Sequence, residues 1–299
     1  MVPADSDVRA EVRALWQRVA AERQRAARAE SLASKYEAQG AMPPESLWPV
    51  WARLRDLHRR IEDRHLAAAR AIQLHATRME SWLGHTDGPA PRPAFIAAVA
   101  SALGTPSATA TLRGLRSVSV AVASSDATAR AAHQLEIIMA EGPAIDATVT
   151  GASLAVAGAA LLDRWPRYGS AVAGLGVRAV TAAPLGPPGT SLGALCVYGA
   201  EPAIRAGVAT ETDRMAGALT QMILGAARSP GSARGGAVPL VFDEADYQAV
   251  VHQAVGMVSV QCDCGVDAAQ DLLLARAFAD GAPVEQVAAQ VVRGEIIFS

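Results

Sequence analysis

At 299 residues the chain has room for two compact domains and a helical extension. Hydrophobic residues make up 51% of it but aromatics only 4%, so its cores must be lined by Ala, Val and Leu. A formal net charge of −2 gives no global pull toward nucleic acid or membrane. The cysteines (Cys196, Cys262, Cys264) are few and odd in number, as suits a reducing cytoplasm.

The first residues run into charged helix with no apolar core, so no signal peptide is expected. Residues 1–83 are helical by period. Beyond Ser46, read as an N-cap, a stripe runs Leu47, Trp51, Leu54, His58, Ile61, His65, Ala68, Ile72, His75, Met79, Trp82. Its alternating steps of four and three are the signature of a coiled-coil seam. A weaker seam precedes it (Val8, Val12, Leu15, Val19, Ala26, Ala29, Ala33, Tyr36), interrupted by Glu22, and Gln39–Pro44 turns the chain between them. This reads as a helical hairpin or a dimerising stalk. The three seam histidines are spaced to set register rather than to form an i,i+4 metal pair. Residues 1–83 also hold fourteen Lys and Arg, including the cluster Arg53, Arg55, Arg59, Arg60 and Arg64, against eleven acids. They read as a solvated face.

Residues 84–93 form a linker rich in Gly and Pro. From 94 to 228 strand and helix signals alternate. Strands are expected at Arg116–Ala123, Ser153–Ala157, Arg178–Leu185 and Ser191–Tyr198, with helices over Ala129–Met139 and Gly207–Ala227. The longest uncharged run, Ala179–Ala200, is broken by Gly186-Pro187-Pro188-Gly189 and reads as two strands and a turn, not a membrane span. A second linker covers 229–239. Three helices should follow in 240–299: Asp243–Val260, Asp267–Asp280 with Asp267 as N-cap, and one opened by Pro283 after a Gly281 terminator. Val250, Ala254, Met257 and Val258, then Leu273, Leu274, Ala277 and Phe278, then Val284, Val287, Ala288 and Val291 are expected to face inward.

Strings in two of these regions carry a resemblance. Leu135-Glu136-Ile137-Ile138-Met139-Ala140-Glu141-Gly142-Pro143, with Asp146-Ala147 after it, Arg164-Trp165-Pro166-Arg167-Tyr168, and Leu192-Gly193-Ala194-Leu195-Cys196-Val197-Tyr198 make residues 95–227 resemble a GAF sensor domain. His252-Gln253-Ala254-Val255-Gly256-Met257-Val258 and the Gly281-Ala282-Pro283 turn make the tail resemble an ANTAR domain, the RNA-binding output module of bacterial antitermination regulators. The resemblance implies an α+β protein: an N-terminal helical coiled-coil stalk, a GAF-like antiparallel sheet with flanking helices, and a C-terminal three-helix ANTAR-like domain. It further implies a cytoplasmic homodimer with a small-molecule ligand in its GAF domain. The ANTAR domain would bind hairpin loops of nascent RNA through His252, Gln253, Val255, Gly256, Gln261 and Arg276. No enzyme activity, cofactor, metal or membrane contact is expected, since no nucleophile–base string or phosphate loop stands out.

The chain departs from both patterns. The middle region lacks the Asn-Lys-Xaa-Phe-Asp-Glu motif of cyclic-nucleotide-binding GAF domains, and the only lysine is Lys35. It has one cysteine, where the sulfoxide-reducing GAF enzymes need several, and Ala144 stands where relatives often carry Cys. In the tail, Val255, Gln248 and Leu274 stand where the wider family has basic residues. Val238–Ser299 holds two arginines, Arg276 and Arg293, against nine acids, a formal net charge of −7. Cations supply most non-specific affinity for RNA, so base edges would have to dominate recognition. The alternative is a signalling adaptor whose acidic ANTAR-like domain binds protein. Cys262-Asp263-Cys264 reads as reduced thiols ahead of a metal or redox pair.

Overall fold

A computed structural model describes residues 5–42, 44–84, 92–113, 119–187, 189–227, 240–242, 246–282 and 284–298. Helices α1 (Asp5–Gln39) and α2 (Trp48–Leu83) run antiparallel, tied by Trp16 Nε1 to Glu80 (2.8 Å), Arg23 to Gln73 (2.6 Å) and Tyr36 stacked on Trp51 (5.8 Å). Both predicted seams lie on the facing sides: Val8, Val12, Leu15 and Val19 are buried on α1, and Ala68, Ile72, His75 and Met79 on α2. The seam therefore closes within one chain. Glu22, which interrupts the α1 stripe, meets His65 across the hairpin, with Oε2 and Nδ1 2.5 Å apart. Ser46 is not an N-cap but lies in a 3₁₀ turn, Glu45–Leu47, and α2 starts at Trp48 with Pro49 in its first turn.

The middle of the chain forms α3 (Phe95–Ala102), β1 (Ser107–Arg113), β2 (Ser119–Ser124), α4 (Ala127–Met139), α5 (Pro143–Thr150), β3 (Leu154–Ala157), α6 (Ala160–Arg164), α7 (Pro166–Gly174), β4 (Ala179–Leu185), β5 (Gly193–Gly199) and α8 (Val208–Ala227). The strands make one antiparallel sheet of order β2-β1-β5-β4-β3. Strand β1 was not expected from the sequence, yet it is central. The expected strand at Arg116–Ala123 appears as β2, and its residues 116–118 lie outside the described residues.

Period two divides the sheet between two cores. Ala108, Ala110, Ala183, Leu185, Leu195 and Val197 face the hairpin, α3 and α8 in one continuous core, which Val241 and Phe242 also enter. The N-terminal helices are thus built onto the sheet rather than standing apart from it. Val156, Val180, Ala182, Ala194, Cys196 and Tyr198 face α4, α5 and α7 in the second core.

The tail forms α9 (Asp246–Gln261), α10 (Val266–Ala279) and α11 (Val284–Val292), around a core of its own made of Ala254, Val255, Val258, Ala269, Leu273, Ala277, Val287, Ala288 and Val291. Each helix ends in the same stop, a left-handed residue followed by an N–H that reaches back five residues. Asp263, Gly281 and Gly294 have φ of 48°, 59° and 74°, and Cys264, Ala282 and Glu295 donate to Ser259, Ala277 and Gln290 at 3.0, 3.0 and 2.8 Å. Gly281 is therefore the terminator expected. Asp267 is not the N-cap of α10, which is Gly265, but lies in the first turn. Pro283 lies outside the described residues.

Candidate functional site

Two regions bear on function: the inner face of the sheet module, and the surface of the three-helix tail. In the first, the acids of the Glu-Gly-Pro string all grip neighbouring elements. Both α5 and α7 open with proline, whose missing N–H costs nothing there, and leave later N–H groups to be satisfied. Glu136 accepts from Ile145 N–H (2.7 Å) at the start of α5. Glu141 accepts from Arg167 and Tyr168 N–H (2.6 and 2.8 Å) at the start of α7, and these bonds hold its carboxyl below the usual range. Asp146 takes the fork of Arg164 (3.0 and 2.9 Å) and Trp165 Nε1 (3.2 Å).

Gly142 makes the first of these grips geometrically possible. Its φ is 154°, and a Cβ there would sit 2.6 Å from Glu136 Cγ. Glu136 is fully buried among Tyr168, Tyr198 and Cys196. Burial, with the negative charge of Glu136 added, pushes the Tyr168 and Tyr198 hydroxyls and the Cys196 thiol well above their ordinary range. Thr109 Oγ1 lies 3.1 Å from the Tyr198 hydroxyl. At neutral pH the two hydroxyls and the thiol keep their protons, and the fully buried Cys196 is sealed from oxidants.

Two clefts adjoin this module. One, of about 480 Å³, is lined mainly by apolar atoms of α6 and α7 with Arg178 at its edge. The other, of about 960 Å³, lies between the hairpin and α8.

In the tail, the predicted RNA-reading residues separate. Gln253 and Gly256 are exposed on α9, and with Val260 they form one stripe at i, i+3 and i+7. Val255 does not belong to that surface. Only 4% exposed, it packs into the three-helix core, because the buried side of α9 falls on 254, 255 and 258. Gln261 is half-buried and its Oε1 accepts Phe298 N–H (3.0 Å), so part of its hydrogen-bonding capacity is used internally. Arg276 is exposed and bonds Asp280 (2.7 Å) one turn on, and Arg293 bonds Glu295 (2.6 Å). Both arginines of the tail thus already hold a carboxylate. The side chains of His252 and Gln248 lie outside the described ones.

Phe278 was expected inside, yet it is 62% exposed. Helix α10 is apolar on nearly every side, so the sequence offered no contrast from which to choose its inner face. Cys262 and Cys264 are free, half-buried thiols flanking Asp263, and the triplet is the turn that ends α9. Among the described residues no three His, Cys, Asp or Glu side chains converge as for a metal ion, and no helix is long and apolar enough to cross a membrane.

No protein-family model matches this chain, and neither a curated protein nor a solved structure shows significant similarity to it.

Proposed function

We propose that this chain is a signal-responsive regulator of the GAF–ANTAR type. Its sheet module senses a small ligand or state, and its three-helix tail binds hairpin loops of nascent RNA so that a terminator does not form. It would work in the cytoplasm as a homodimer, each copy supplying one reader. Because the hairpin seam is closed within one chain, the two copies would meet on another surface.

One observation carries this reading. The tail is a unit of three helices around its own core, and α9 presents Gln253 and Gly256 outward. A glutamine beside a bare backbone patch suits hydrogen bonding to unstacked bases. With both tail arginines paired to acids, phosphate contacts contribute little, and the salt dependence of binding should be shallow.

A second reading is favoured by Phe278 and Leu272, exposed on an acidic unit: a signalling adaptor whose tail docks on protein. RNA that co-purifies with the full chain, sequenced beside that from a version ending at Gly236, separates the two. Enrichment of paired hairpins that disappears on truncation supports the RNA reader. Equal recovery from both versions overturns it in favour of the adaptor.

A further inference from the structure

We infer that the cleft between the helical hairpin and α8 binds a small amphiphilic anion, a single carboxylate or phosphate head on an apolar body. At about 960 Å³ the cleft is of the size that small ligands occupy. Its lining includes the apolar Leu57, Ile61, Ala218, Met222 and Leu240. The same lining carries Arg18, Arg25 and Arg64 against the single acid Glu22. That acid is already engaged, by Arg25 and by the His65 ring at 2.5 Å. Arg18 and Arg64 have no carboxylate partner among the described residues, so the cleft offers two uncompensated guanidinium groups beside a hydrophobic surface. A guanidinium fork fits either head group.

Arg64 is placed by a glycine. Gly217 sits inside the 20-residue helix α8, where glycine weakens the helix relative to alanine. A Cβ at that position would lie 2.8 Å from Arg64 Nε and 3.2 Å from its Cδ and Cγ. The bare backbone lets the arginine lie across α8 along the cleft, and the neighbouring Asp63 holds α2 to α8 through Arg214 (3.0 Å).

The location gives occupancy a consequence. Ala226 near the end of α8 and Leu240 both line the cleft, so a ligand touches the chain on either side of the segment that leads to the tail. Binding there would bias how the tail is presented. The binding claim itself does not rest on what the tail recognises.

The test is calorimetric titration of the full chain with decanoate and with octyl phosphate, both kept monomeric, and with decanol as the uncharged control. At least one anion should bind one to one and saturate below about 1 mM, with decanol about ten-fold weaker or absent. Which anion binds identifies the head group. R18Q/R64Q should weaken the anion about ten-fold with the thermal midpoint unchanged. G217A should weaken it as well, although alanine favours the helix, because Arg64 is displaced. The inference is overturned by no saturable binding of either anion, by decanol binding equally, by undiminished binding to both variants, or by binding to anionic vesicles alone. Decanoate binding with no RNA recovered would overturn the RNA reading and leave this one standing.

Discussion

In the sheet module Glu136, Glu141 and Asp146 each end on the backbone or side chain of a neighbouring element, whereas in the tail Asp263, Asp267 and Asp271 are exposed on one small unit. The same residue type builds in one place and sets a field in the other. What separates them is what lies within reach: proline-opened helices present unfilled N–H groups to Glu136 and Glu141, side-chain donors of Arg164 and Trp165 meet Asp146, and water surrounds the second set. Acids in a recognisable string are therefore no sign of a ligand site until their partners are known.

The strongest way to break this comparison lies in the sheet module. G142A should destabilise the protein by about 3 kcal/mol or more, read by urea unfolding, since it both strains a left-handed position and drives Glu136 from its place. A wild-type midpoint in G142A would mean the Glu136 grip is incidental. In the tail, V255K should cost about 3 kcal/mol by burying an ammonium group in the three-helix core, and should not tighten hairpin RNA. Q253A should leave stability within about 0.5 kcal/mol of wild type while weakening RNA binding, as an exposed contact residue would.

Acid stability gives the next effect. His75 is 2% exposed, lies edge-on to Phe95 at 5.4 Å, and titrates near 4 instead of 6.5 because burial, with Arg92 and Arg78 nearby, disfavours its charged form. The unfolded chain takes up this proton first, so stability is lost as the pH falls from 6.5 toward 4, by about 3 kcal/mol in all. H75F should remove that part of the pH dependence in unfolding curves. Glu141, held below its ordinary range, contributes in the same direction: its stabilisation is present above pH 4.5 and is lost as the carboxyl protonates, so E141Q should flatten that limb.

For the tail's field, D267K/D271K should tighten hairpin RNA and steepen the salt dependence by about one to two units. An unchanged slope would place these acids away from the bound RNA. The smallest effect expected is A140G, which should raise stability by about 0.5–1 kcal/mol, because Ala140 closes α4 with φ of 53°.

Much of the fold was legible. The heptad stripes set which sides of α1 and α2 meet, because a period of 3.5 leaves one seam to bury. Strand β2 read from its alternation, β3, β4 and β5 from short apolar runs bounded by turn residues, and the tail helices from their small residues and Gly281. Strand β1 did not read, because Ser-Ala-Thr-Ala-Thr alternates only among small side chains, too weak a contrast to mark a strand, although it is buried on both faces. The inner face of α10 was hidden for the same reason, and so Phe278 was misplaced.

Periodicity, glycine stops and the uneven spread of charge belong to the sequence alone, since they are properties of local order along the chain. That Glu22 meets His65, that Glu136 and Glu141 finish other helices, and that Gly217 makes room for Arg64 was decided only by folding. Each joins residues far apart in the chain, and a carboxylate or guanidinium takes its role from whichever unsatisfied group tertiary packing brings within hydrogen-bond reach.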